Sequence, residues 1–186
     1  MTLLATLVSV LLSTANAAPD TVDACLAEAA REGRSLSTAT ETCRSARHIP
    51  KWCFMEARRE GRSLSSSISN CEGARSVERY CFQAARAEGR SIQNSVDTCE
   101  GSTRIPRECF DTARAEGRSI SNSIDICRAG FSVAKYCFDA ARAEGRSIQN
   151  SVDICEGSKN IRRSCWDTGR SEGRSIQSVI RLCRGL

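Results

Sequence analysis

Residues 81–99 read CFQAARAEGRSIQNSVDTC, a segment bounded by two cysteines with Glu-Gly-Arg-Ser near its centre. Related segments recur along the chain, with successive cysteines alternately 18 and 10 residues apart. The period is therefore 28 residues, and the chain of 186 residues carries six such units. A period of this length is typical of repeat proteins, in which stacked units bury a shared core. We number the units 1 to 6 by their first cysteines, which are Cys25, Cys53, Cys81, Cys109, Cys137 and Cys165.

Each unit is predicted to be a pair of antiparallel helices. In unit 3, Ser76 is expected to cap a first helix over residues 77–88. Ser91 is placed to cap a second helix over residues 92–99, and Gly89 suits the left-handed position that ends the first. No stretch alternates polar and apolar residues as strands do. The predicted fold class is all-α, a solenoid-like array of six 28-residue disulfide-linked helical hairpins.

The two cysteines of each unit predict a covalent clamp. Cys81 and Cys99 are each nine residues from Arg90, so a hairpin folded there brings them side by side. A disulfide that closes such a loop contributes about 3 kcal/mol in the chain-entropy model. The rival pattern joins cysteines across the 10-residue gaps and leaves Cys25 and Cys183 without partners. The predicted pairs are Cys25–Cys43, Cys53–Cys71, Cys81–Cys99, Cys109–Cys127, Cys137–Cys155 and Cys165–Cys183.

The start of the chain predicts export. Residues 1–17 carry no charged side chain and end in Ala15-Asn16-Ala17, the small-x-small pattern that signal peptidase cleaves. We expect a signal peptide at residues 1–17, a short leader at 18–24 and the repeat domain at 25–186. The apolar run is shorter than the about 20 residues of a transmembrane helix, so no membrane span is expected in the mature form.

The cysteine content favours the same location. Twelve cysteines in 186 residues are typical of a disulfide framework in an oxidising compartment. The alternative, a buried N-terminal helix of a cytosolic protein, leaves these thiols unexplained. The predicted location is therefore secreted or periplasmic.

The sequence carries no motif for catalysis, a metal or a cofactor. The chain has one histidine, His48, and no two cysteines are closer than 10 positions, so zinc-binding and C-x-x-C spacings are missing. Phosphate loops, G-x-S-x-G and H-E-x-x-H are also missing. Acid–base pairs recur identically in every unit, which disfavours one unique active centre. We expect a non-enzymatic protein without metal or cofactor, with an enzyme as the minor alternative.

Glu-Gly-Arg-Ser places one glutamate and one arginine in the turn of each unit. In a structural interpretation, the glutamate lies near the free N–H groups of the second helix and near the turn arginine. In a functional interpretation, the arginines form a ladder with a repeat of about 10 Å that binds an extended anionic ligand. The turn glutamates are Glu32, Glu60, Glu88, Glu116, Glu144 and Glu172, and the turn arginines are Arg34, Arg62, Arg90, Arg118, Arg146 and Arg174.

The net charge of +5 does not indicate a nucleic-acid-binding protein. The excess positive charge lies in the connections between units, where acidic residues dilute it. The basic residues concerned are chiefly Arg44, Arg47, Lys51, Arg128, Lys135, Lys159, Arg162 and Arg163. The predicted partner is therefore a protein or an extended anionic ligand such as an acidic glycan, a lipid headgroup surface or an acidic protein face.

The residue after each first cysteine is large and usually aromatic. A ring at one fixed place per unit is interpreted as a knob that packs against the neighbouring unit. A platform for a cofactor or a carbohydrate is the alternative. The residues are Leu26, Phe54, Phe82, Phe110, Phe138 and Trp166.

Residues 84–89 and 140–145 both read Ala-Ala-Arg-Ala-Glu-Gly and resemble the A-A-x-x-G core of Sel1-like helical repeats. That resemblance implies stacked helical hairpins, which in secreted bacterial versions carry one disulfide each. Sel1-like repeats are longer and have further glycine and tyrosine signals that this chain lacks. The resemblance therefore bears on architecture alone.

Three classes of function remain open at this point. The leading hypothesis is a binding scaffold for a protein or another extended ligand. The second is a structural or protective cell-surface factor that faces an envelope or ice. The third is a secreted effector or toxin-like protein. The second would use a regular row of serines at matched positions, Ser67, Ser95, Ser123 and Ser151.

Overall fold

The computed structural model describes residues 20–185, and within them each unit contributes two α-helices and each connection a 3-10 helix. The predicted array of helical hairpins is confirmed. The predicted signal peptide and residues 18 and 19 of the leader lie outside the described residues. The α-helices are α1 Thr21–Arg31, α2 Leu36–Cys43, α3 Lys51–Arg59, α4 Leu64–Ser69, α5 Arg79–Ala87, α6 Ile92–Thr98, α7 Arg107–Ala115, α8 Ile120–Cys127, α9 Lys135–Ala143, α10 Ile148–Ile154, α11 Arg163–Ser171 and α12 Ile176–Cys183.

Local sequence signals set the turn of each hairpin. In unit 3, Gly89 has φ 80°, a conformation that residues with a Cβ rarely adopt. The N–H of Gly89 donates to the carbonyl of Arg86, and the N–H of Arg90 donates to that of Ala85, which closes α5. Ser91 then caps α6, because its Oγ accepts from the N–H of Asn94 at 3.2 Å. A turn and a serine cap of this kind occur in every unit.

The first helix of unit 3 begins at Arg79, two residues later than predicted. The prediction that Ser76 caps this helix is wrong. Ser76 ends a 3-10 helix, and its hydroxyl donates to the carbonyl of Gly73 at 2.8 Å. Val77 follows in extended conformation and is 5% exposed. The chain is therefore still extended at Val77, and α5 begins after it.

A disulfide closes each hairpin at the end opposite the turn. Each bridge spans 18 residues of sequence, and the Cα–Cα distances lie between 5.6 and 6.0 Å. No cysteine in the described part of the chain is free. The bridges are Cys25–Cys43, Cys53–Cys71, Cys81–Cys99, Cys109–Cys127, Cys137–Cys155 and Cys165–Cys183.

Neighbouring units stack through their second helices. Helix α4 packs against α1 and α2, α8 against α5, and α10 against α7 and α8. The first residue of the second helix is consequently buried from unit 2 onward, and it is at most 3% exposed. These five residues are Leu64, Ile92, Ile120, Ile148 and Ile176. None of the helices in residues 20–185 has the length and apolar character needed to cross a membrane.

The aromatic residues after the first cysteines lie in the core, and none is more than 3% exposed. At three junctions between units, the residue before the first cysteine of one unit is also aromatic and packs against the ring of the next unit. The pairs are Trp52–Phe82, Tyr80–Phe110 and Tyr136–Trp166. Their centroids are 4.7, 5.2 and 5.0 Å apart, a spacing typical of packed aromatic pairs. The rings therefore pack units together, and they are too deeply buried to serve as a platform for a cofactor or a carbohydrate.

The matched serines of the second helices are buried as well. Ser67, Ser95, Ser123 and Ser151 are all 0% exposed. The hydroxyl of Ser95, for example, donates to the carbonyl of Ser91 at 2.8 Å. A regular outer surface built from these serines is therefore ruled out, and with it the observation on which the envelope- or ice-facing interpretation rested.

Candidate functional site

The hairpin turns bring a repeated set of charges to one edge of the array. In five units the Nε of the turn arginine faces Oε2 of the turn glutamate of the same unit. The distances lie between 2.7 and 3.7 Å, and Arg118 of unit 4 makes no such contact. The hydrogen bond from Arg34, reinforced by Arg58, holds the pKa of Glu32 below its usual value.

The other oxygen of each turn glutamate has an unexpected partner. Each serine cap accepts from one N–H at the start of its second helix, and within residues 20–185 none of these N–H groups donates to a turn glutamate, so this part of the structural interpretation is wrong. In units 1 to 5, Oε1 instead pairs with an arginine on the first helix of the next unit. The pairs are Glu32–Arg58, Glu60–Arg86, Glu88–Arg114, Glu116–Arg142 and Glu144–Arg170.

The five arginines of these pairs, which we call the helix arginines, share two contacts. Nη2 of Arg170 donates to Oε1 of Glu144 at 2.7 Å, and Nη1 donates to the carbonyl of Arg174 at 2.6 Å. The other four donate to the equivalent groups. The planar fork of the guanidinium suits this task. One side chain thus fixes the turn of its own unit and ties that unit to the preceding one.

Sequence reasoning missed the helix arginines, although the repeat carries a signal for them. Arginine stands five residues after the first cysteine in units 2 to 6, whereas unit 1 has Ala30 there. Unit 1 is also the unit with which the described array begins. An arginine present only where a preceding glutamate exists indicates a contact between units.

The turn arginines and helix arginines differ in exposure. The side chains of the helix arginines are 15–28% exposed. Those of the five ion-paired turn arginines are 33–50% exposed. Within residues 20–185, the only hydrogen bond made by a terminal nitrogen of a turn arginine goes from Arg90 to Thr98. The outward guanidinium ends therefore remain able to donate to a ligand.

We call this edge the charged ridge, formed by the turn glutamates, the turn arginines and the helix arginines. In units 2 to 6 each rung holds two arginines and one glutamate, which gives it a net charge of +1. Stacked helices are about 10 Å apart, so the positive rungs recur at about that distance. The part of the chain that the structure describes holds no cluster of three His, Cys, Asp or Glu residues suited to a metal ion.

The junction of units 4 and 5 interrupts the repeat on the opposite edge. Glu108 stands where units 3 and 5 have Tyr80 and Tyr136. An open groove of about 460 Å³ runs here, bordered by Pro106, Glu108, Val133 and Lys159, and by Phe131, which is 62% exposed.

Comparisons of the chain with models of protein families, with curated proteins and with solved structures found no match. The resemblance to Sel1-like repeats therefore stays an expectation from the sequence. The charged ridge is therefore the candidate functional site.

Proposed function

We propose that the chain is a non-catalytic binding scaffold, secreted or periplasmic, whose charged ridge binds an extended anionic ligand. Six disulfides within one chain support an oxidising location. The same charged groups recur in the turn of every unit, which supports repeated binding contacts over a single catalytic centre.

The observation that carries the proposal is the row of turn arginines in register along one edge. Each turn glutamate neutralises one guanidinium, and the second arginine of the rung leaves a positive charge in excess. A single rung binds weakly because its charges are partly exposed to water and screened by salt. A polymer that engages several rungs gains affinity because each further contact is intramolecular.

The donor geometry favours carboxylate or sulfate groups. Guanidinium nitrogens bind such planar or tetrahedral anions through two parallel hydrogen bonds. An acidic polysaccharide presents these groups at regular intervals, so it matches a ridge with a regular repeat. The proposed ligand class is therefore a polyanionic glycan.

The test uses the oxidised protein and polygalacturonate fragments of increasing length. We expect the affinity to rise with length until the fragment spans the ridge, in titrations by calorimetry at low salt. The triple variant R62Q/R90Q/R118Q removes three turn arginines and should lower the affinity for the longest fragment at least 10-fold. It leaves the helix arginines, and hence the stacking, in place.

The matched control is R107Q/R128Q/R163Q. These arginines are 63–72% exposed, pair with aspartates and lie off the ridge. The control loses the same net charge, and its affinity should fall less than 3-fold. Equal losses in the two triple variants, or an affinity independent of length, would overturn the ridge as the binding site. Fragments shortened by incubation with the protein would overturn the non-catalytic assignment.

A further inference from the structure

Within residues 20–185, the first unit leaves one contact surface of the array unoccupied. Leu36 begins the second helix of unit 1 and is 76% exposed. The five residues at the same position in later units are at most 3% exposed. The second helices of units 2, 4 and 5 pack on the preceding unit, and the equal burial of Ile92 and Ile176 indicates the same contact in units 3 and 6. Leu36 therefore lies on an exposed surface of unit 1 that, in each later unit, is buried against the preceding unit.

The last unit of the described array leaves the opposite contact surface unoccupied. Leu182 of α12 is 54% exposed. It borders a groove of about 450 Å³ that also contains Cys165, Gly169, Val179 and Glu172. The Glu172 side chain is 50% exposed, against 29–36% for the other turn glutamates. Its Oε2 pairs with Arg174, and no helix arginine of the described chain reaches it.

The two end surfaces are thus the two halves of one kind of junction, already used five times within the chain. From this continuity with the inner junctions, we infer that unit 6 of one copy binds unit 1 of a second copy, head to tail. Leu36 of the second copy then occupies the place that Leu64 and its equivalents fill inside the array. The contact is heterologous, so it leaves a free end on each copy and further copies can add.

This junction is weaker than the inner ones for two identifiable reasons. Unit 1 has Ala30 in place of a helix arginine, so Glu172 gains no ion pair. It also has Leu26, and unit 6 has Ser164, at the two positions where three of the inner junctions pair two aromatic rings. We therefore expect reversible association that appears at high protein concentration.

The experiment is sedimentation velocity on the oxidised protein from micromolar to millimolar concentration. The wild type should shift to larger species as the concentration rises. L36E blocks the unit 1 end and L182E blocks the unit 6 end, and each variant alone should remain monomeric. Both residues are exposed, so the helical circular dichroism should not change. An equimolar mixture of the two variants retains one open end of each kind and should form dimers and nothing larger.

A gain of association sharpens the test. A30R supplies the arginine that the other five junctions use, so it should move the onset of association to at least 10-fold lower concentration. A30R/E172Q removes the new partner and should return the onset to that of wild type. Dimers of L36E alone would indicate a symmetric contact and overturn the inference. Wild type and A30R that both stay monomeric at millimolar concentration would overturn it as well.

Discussion

The junction of units 3 and 4 and the junction of units 4 and 5 use the same helices and differ on one edge. At the first, the rings of Tyr80 and Phe110 lie 5.2 Å apart, and the Tyr80 hydroxyl donates to the carbonyl of Ile105 at 3.0 Å. At the second, Glu108 occupies the tyrosine position, and Phe138 has no ring beside it. The tyrosine thus joins a helix to the next connection, and the glutamate leaves a groove in its place.

The ion pair between units on the other edge is present at both junctions. Arg114 pairs with Glu88 at the first, and Arg142 pairs with Glu116 at the second. The burial of Ile120 and Ile148 at the start of the second helices also matches, at 0% and 3% exposed. The stack is therefore held in register by the ridge and the second helices. The aromatic pair is an additional contact that a junction can lack.

The largest expected effect comes from removing the buried rings. F110A and F138A should each lower the free energy of unfolding by about 3–5 kcal/mol, because each leaves a cavity in the core. F110A should cost about 0.5–1.5 kcal/mol more, since it also removes the contact with the Tyr80 ring. Urea titrations of the oxidised proteins, followed by circular dichroism, measure both values. Equal losses would mean that the aromatic pair adds nothing to stacking.

Removing a helix arginine should affect both junctions alike. R114M and R142M each remove an interunit ion pair and a hydrogen bond to a turn carbonyl. We expect each to lower the free energy of unfolding by about 1–3 kcal/mol in the same urea assay. R107M is the control, because its pair with Asp111 is exposed and should contribute less than about 1 kcal/mol. A difference between R114M and R142M larger than that control would contradict the equivalence of the two ridge contacts.

The tyrosine position can be exchanged in both directions. Y80F loses the hydrogen bond to Ile105 and should destabilise the protein by about 0.5–1.5 kcal/mol. E108Y places a ring beside Phe138 and a hydroxyl toward the connection of unit 4, so it should stabilise by a similar amount. E108Q separates loss of the charge from gain of the ring. If E108Y and E108Q are equally stable in urea, the groove does not accept the ring.

The smallest effect concerns alkaline pH. Burial raises the pKa of Tyr80 and of Tyr136, the two tyrosines of the chain, above the usual value of about 10. The folded state then holds its phenol protons at a pH where the unfolded state loses them. Stability from this source is present below pH 10 and falls as the pH rises above it.

Absorbance of the phenolate tests this linkage. The folded protein should show little tyrosine ionisation near pH 10, and the protein in urea should titrate both tyrosines there. If the ring of the tyrosine introduced by E108Y lies in the groove, its phenol should also ionise only above pH 10. Normal titration of the folded wild type, with its helicity intact, would contradict the burial of these hydroxyls.

Much of the fold can be predicted from the sequence because its determinants are local. The cysteine spacing, Gly89 and the cap Ser91 act within one unit, and each has a known geometry. Contacts between units are harder to predict, because they depend on which faces meet. The pairing of Glu88 with Arg114 spans 26 residues and follows only from the stacking. The burial of Ser95 is of the same kind, because a serine among polar neighbours gives no sign of it.

The placement of the disulfides has a mechanical consequence. Tension applied at the two ends of the array is carried by the shortest chain of covalent bonds. In each unit this path passes from the first cysteine to the second through the disulfide, whose Cα atoms are 5.8 Å apart in unit 3. It then runs through the 10 residue steps to the next unit, which extend to about 35 Å. A unit therefore lengthens to about 40 Å, whereas its 28 residues without the bridge would reach about 95 Å. The turns that carry the charged ridge lie inside the closed loops, off the path of the load.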